Sequence, residues 1–242
     1  MKKIFILGLL VSALSFTAEK EFKAEIGASG FYSNGIYQEK NKGGVIPFLN
    51  LSYKNLYMDN TEAGLKFDVG ENLSIKAYTN FMDGNLVKGE DLKEGYKTYK
   101  KRKTQMAYGG KLSYRTGPVE GYIFAQGGKK GAKGGAGVNY IIPVTEKMAV
   151  LTGIKYNIYN KKYTDYYFGV HEDDLGGKLQ KTYFSKSSHS YGLQVGIENK
   201  ITEKFSAVGF FSVERFSKEV HKSPIIKDKN EIRGGLGVKY NF

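Results

Sequence analysis

From Phe22 onward the chain follows a two-residue rhythm. Phe22, Ala24, Ile26 and Ala28 alternate with Lys23, Glu25, Gly27 and Ser29. The same alternation recurs at Leu73–Phe81, Met106–Arg115, Met148–Ile158 and Tyr191–Glu198. It also fills the last twelve residues, where Ile232, Gly234, Leu236, Val238, Tyr240 and Phe242 interleave with Glu231, Arg233, Gly235, Gly237, Lys239 and Asn241. Successive side chains of a strand point to opposite faces, so this period predicts strands with one apolar and one polar face.

A soluble sandwich alternates too, and the connections separate the two cases. Tight turns ("VGEN", "RTGP", "VTEK", "ITEK") alternate with longer polar stretches near 33–43, 83–103, 160–187 and 217–230. Short turns on one side and long loops on the other mark a transmembrane barrel built of hairpins. The strands read as 21–32, 44–53, 56–60, 63–69, 72–82, 104–115, 118–127, 131–142, 147–159, 188–199, 203–216 and 231–242. With both termini on the periplasmic side, this parity places every long loop outside. The fold class is therefore all-β, a transmembrane antiparallel up-and-down β-barrel of about twelve strands. "LYMDN" at 56–60 is short for a span of about 9–11 residues, and losing it with one partner leaves ten. "YTDYYFGV" at 163–170 also reads as a strand, which parity places in an outer loop as an extension above the membrane.

The inward face carries Lys23, Glu25, Lys66, Asp68, Lys76, Lys111, Arg115, Glu120, Lys155, Glu198, Glu214, Arg233 and Lys239. Buried charges demand partners, so mixed signs imply neutralisation across a narrow lumen. Wide channels belong to barrels of about 16–18 strands, and a lumen of this size is expected to be plugged.

Composition adds a destination. "MKKIFILGLLVSALSFTAEK" has a basic start, an apolar run and small residues near Ala18, the pattern of a secretory signal peptide over 1–18, leaving 19–242 as the barrel. The chain has no Cys, which excludes lipoprotein-type acylation and disulfides. With Lys2 and Lys3 removed, 35 basic side chains exceed the 24 acidic ones by 11. An exported basic chain points to lipid phosphates or acidic glycans as partners, not nucleic acid.

Three stretches invite a chemical reading. "VHEDD" places His171, Glu172, Asp173 and Asp174 together in the longest outer loop. A His beside carboxylates suits a general base or a divalent cation, but consecutive residues do not converge on one atom, and a solvated loop is the expectation. "GGKKGAKGGAG" lacks the strand-to-helix context of a phosphate loop and fits a crowded barrel wall. "YKTYKKRK" presents Tyr96, Lys97, Tyr99, Lys100, Lys101, Arg102 and Lys103 where the second long loop returns to the membrane, a candidate contact for lipopolysaccharide or glycan. No catalytic, cofactor-binding or metal-ligating residue is assigned.

"GGVIPFLNLSYKNLYMDN" (Gly43–Asn60) followed by "AGLKFDVG", "YYFGV" (Tyr166–Val170) and "SPII" (Ser223–Ile226) together resemble the MipA/OmpV family of outer-membrane proteins, named for the MltA-interacting protein. Phe168 is inserted in the Tyr-Tyr-Gly-Val element, and Lys222 stands where the family has an acidic residue. The resemblance implies an outer-membrane location and a scaffold role between murein hydrolase and murein synthase. Resemblance to outer-membrane proteins also implies that Val238, Tyr240 and Phe242 form the signal read by the barrel-assembly machinery. The expected function is a non-enzymatic scaffold or surface-interaction barrel, with a small-solute channel and a surface adhesin as alternatives.

Overall fold

A computed structural model describes residues 22–39 and 42–242; the expected signal peptide lies outside the described residues. Twelve antiparallel strands close into a barrel. They are β1 (Phe22–Ser33), β2 (Lys42–Tyr53), β3 (Leu56–Asp59), β4 (Glu62–Val69), β5 (Leu73–Asp83) and β6 (Gln105–Thr116). The second half is β7 (Val119–Gly128), β8 (Gly131–Pro143), β9 (Met148–Tyr159), β10 (Ser188–Lys200), β11 (Phe205–Phe216) and β12 (Asn230–Asn241). Each pairs with its sequence neighbours, and β1 closes on β12 from Glu25↔Asn241 to Ser33↔Arg233. Closure removes the free edges that a bilayer does not tolerate along the wall, the upper part of β2 excepted.

The two faces are those the alternation predicts. Val45, Leu236 and Val238 point outward to lipid, at 73, 77 and 57% exposure. On the inner face Lys239 bridges three strands, 3.1 Å from Glu25 and 2.8 Å from Glu198. Lys155 meets Glu214 at 2.6 Å, Arg115 meets Glu120 at 2.6 Å, and Lys66 meets Asp68 at 3.0 Å. The glycines of β8 serve the crowded inner wall: a Cβ on Gly137 would stand 2.5 Å from the Tyr122 ring.

β3 survives as a four-residue strand. It pairs only with Asn50–Tyr53 of β2 and Glu62–Leu65 of β4. The hairpin tip is held by Asn60 N–H donating to the Leu49 carbonyl at 2.9 Å and Phe81 N–H donating to the Thr61 carbonyl at 2.8 Å. Lys42–Phe48 of β2 therefore lack a strand neighbour on that side.

The outer loops differ from expectation. The stretch read as a strand at 163–170 is helical: α1 spans Lys161–Phe168. Asn160 caps it by accepting from Tyr163 N–H, and Tyr163, Thr164, Tyr167 and Phe168 are buried, the i, i+1, i+4, i+5 spacing of a helix face. Among the described residues no strand stands beside 161–168 above the barrel to pair with an extended segment, whereas one apolar helical face closes over the mouth. α2 is a single turn, Lys218–His221.

Candidate functional site

The four long outer loops fold together into a cap. Ile36 and Tyr37 from the first, Val87, Leu92 and Tyr99 from the second, Tyr163, Tyr167, Phe168, Val170 and Leu179 from the third, and Val220, Ile225 and Ile226 from the fourth form one buried cluster. Tyr159 and Phe216, at the tops of β9 and β11, join it to the barrel. Gly84 makes the closest approach, with φ of +90° and a Cβ position only 2.1 Å from the Tyr167 hydroxyl. Glycine alone fits that conformation and that gap. The Tyr167 hydroxyl then donates to the Asp83 carbonyl at 3.1 Å, anchoring α1 to the top of β5.

Arg102 and Asp174 lock the second loop to the third. Arg102 Nη2 lies 2.6 Å from Asp174 Oδ2, with both side chains buried. Nε donates to the Tyr166 carbonyl at 2.8 Å, Nη1 to the Lys100 carbonyl at 3.0 Å, and the guanidinium stands 4.2 Å over the Tyr99 ring. Asp174 also accepts from Lys100 N–H at 2.7 Å and His171 N–H at 2.9 Å. Burial pushes the Tyr99 phenol well above its ordinary range. The Tyr166 phenol is instead lowered: burial pushes it up, but hydrogen bonds from the Lys130 ammonium and the Lys103 N–H, with the charges of Lys130 and Arg102, together outweigh it.

These positions correct two readings. "VHEDD" is no uniformly solvated loop, because Asp174 is 1% exposed. His171 Nε2 sits 3.0 Å from Asp165 Oδ2, a carboxylate that also accepts from Ser185 N–H at 2.8 Å, so the imidazole fastens α1 to the following loop. Of the seven residues assigned to an anionic contact, Tyr99 and Arg102 are buried, at 1 and 6% exposure, and cannot reach an external glycan. Lys97, Lys100, Lys101 and Lys103 remain exposed, and Tyr96 is half-buried against the cap core. A surface depression of about 740 Å³ between Lys88, Lys97, Lys100, Lys101 and Asp173 joins most of this rim. Arg102 was separable in principle: it is the single arginine in a lysine run, and a buried carboxylate favours the bidentate, permanently charged guanidinium.

At the opposite end, Tyr240 is flanked by Phe205 and Phe242, ring centres 4.9 and 4.8 Å away in edge-on contact. Phe242 N–H donates to the Ala24 carbonyl at 3.0 Å, tying the C-terminus to β1. Val238 faces lipid between Ala28 and Ala207.

Residues 26–242 match the family described as MltA-interacting protein MipA. The chain belongs to that family. A MipA-family relationship agrees with curated relatives. The 24 kDa outer membrane protein of Pasteurella multocida (strain Pm70) is 31% identical over 230 residues, covering 90% of both chains. Outer membrane protein Omp26La of Vibrio anguillarum is 25% identical over 236 residues, covering 94% of this chain and 89% of its own. Among solved structures, the NanC porin aligns at a TM-score of 0.46 and 8% identity, over 90% of this chain and all of that one. The channel DcaP of Acinetobacter baumannii aligns at 0.42 and 10%, over 94 and 99%. This MipA-family chain is an outer-membrane β-barrel.

Proposed function

We propose that this barrel is a non-enzymatic envelope protein whose capped outer face serves as an interaction platform. The single observation carrying the reading is the shared hydrophobic core of the four outer loops. Loops that merely connect strands need no common core, whereas a binding surface needs fixed geometry. The rim lysines Lys97, Lys100, Lys101 and Lys103 offer cations at the level of the outer leaflet, suited to lipopolysaccharide phosphates, each worth about 1 kcal/mol near a charged surface.

The family description names an interaction with MltA, and a murein-enzyme link is the periplasmic half of the proposal. The surface for it comprises the turns 54–55, 70–72, 117–118, 144–147 and 201–204, too small for an extensive interface without the terminal segments. Pull-down of murein hydrolase and synthase with the full barrel tests that half: retention supports it, and none removes it. Planar-bilayer recording tests the platform against a channel. Absence of discrete current steps is expected; steps in the unaltered protein would replace the platform with a pore.

A further inference from the structure

Beneath the cap, the lumen holds a cavity of about 450 Å³ roofed by Tyr163 and Phe168. Its carboxylates are already engaged. Glu62 accepts from the Tyr57 hydroxyl at 2.6 Å, Asp83 pairs with Lys133 at 2.6 Å, Glu214 with Lys155 at 2.6 Å, and Glu231 with Arg233 at 2.8 Å.

Two donors on the same wall are not. Lys111 makes no ion pair among the described residues; its Nζ rests 4.1 Å from the Tyr122 ring centre. It stands directly across from Lys76, which itself stands across from Lys66, and like charges in cross-strand register destabilise a sheet. Gln126 is 7% exposed, and its Oε1 accepts from the Tyr78 hydroxyl at 3.1 Å, while its Nε2 is buried without an acceptor. A buried donor without a partner destabilises the fold that holds it. Among the described residues the wall thus carries a cation without an ion-pair partner and an amide donor without an acceptor, while its carboxylates are engaged elsewhere. Lys111 also lines a second cavity of about 390 Å³ that reaches Glu71 and Asn72 in the periplasmic turn after β4.

We propose that the lumen is a periplasm-facing cup that binds a small oxyanion, phosphate or carboxylate, between Lys111 and Gln126. An oxyanion supplies the missing acceptors and separates the charges of Lys76 and Lys111. The test is isothermal titration of the purified, refolded full barrel in detergent micelles at low salt, with inorganic phosphate in one arm and acetate in the other. Saturable one-to-one binding is expected. Lys111→Gln should weaken it at least about tenfold and Gln126→Leu several-fold, the loss of a charge-assisted and a neutral hydrogen bond respectively. Lys204→Gln, in a periplasmic turn, should leave it unchanged. Tighter phosphate assigns the site to phosphates, tighter acetate to carboxylates. Heat-modifiable gel mobility verifies folding of each variant; if Lys111→Gln does not fold, Gln126→Leu decides alone. Equal affinity in the folded variants, or no saturable binding of either anion by the unaltered protein, overturns the site.

Discussion

Arg102 and Asp174 lie 72 positions apart in two different outer loops and meet at 2.6 Å in the interior of the cap. Breaking a buried ion pair by removing one partner typically costs about 3–5 kcal/mol, because the other charge stays buried alone. Asp174→Ala should therefore loosen the second loop while the strands hold. Limited trypsin digestion of the folded protein is expected to cut within residues 97–103 of the variant and spare the original, with the barrel fragment still heat-modifiable.

The cap rests on Tyr167 as much as on that pair. Truncating a large buried aromatic side chain costs about 3–5 kcal/mol, and Tyr167→Ala also removes the hydroxyl that holds the Asp83 carbonyl. Local opening of α1 should then expose the lumen from outside. Discrete current steps in planar bilayers, absent before the substitution, are the expected result.

Alkali should open the cap as well. The Tyr183 phenol is pushed up to about 12, first by burial and then by the Glu219 carboxylate beside it. Burial raises Tyr37, Tyr99 and Tyr167 in the same sense. In the unfolded chain these phenols ionise near their ordinary value of about 10, so above that pH the unfolded state releases protons that the folded cap retains. Stability from this source is complete below pH about 10 and declines as pH rises through about 12. Protease sensitivity of the cap should increase across that window, and Tyr183→Phe should reduce the dependence.

Phe242→Ser removes one ring of the Phe205–Tyr240–Phe242 cluster but leaves the Ala24 hydrogen bond to its backbone. If the terminal aromatic is the assembly signal, the variant should accumulate at reduced levels in the outer membrane. Quantitative blotting of membrane fractions checks this; wild-type levels would refute the assignment.

Replacing Lys97, Lys100, Lys101 and Lys103 together with Gln leaves the cap core untouched. Affinity for lipopolysaccharide should fall, along with the salt dependence of what remains, since exposed charges act over about 10 Å at moderate ionic strength. Co-sedimentation at two salt concentrations measures both.

The barrel was legible because each strand lies between two contrasting environments. Lys239 and Val238 are neighbours in sequence, yet one is tied to Glu25 and Glu198 and the other faces lipid. Alternation records that contrast directly, and parity orders the strands, short β3 included. The cap left no such record. Tyr163–Val170 carries aromatic residues at spacings compatible with either period, and the missing strand neighbour is a tertiary fact. Arg102 and Asp174 likewise sit among exposed look-alikes, and only the packing of one loop on another distinguishes them.

The abbreviated β3–β4 hairpin has a consequence for how the wall comes apart. From Lys42 to Phe48 the β2 backbone has one strand partner instead of two, and Pro47 contributes no N–H at all. The β2–β3 and β3–β4 seams are stitched over four registered pairs each, and every other seam of the barrel over at least eight. Amide hydrogen exchange should accordingly be fastest along that half of β2, making the outer-leaflet side of the β2–β3 seam the place where the closed cylinder first becomes a sheet.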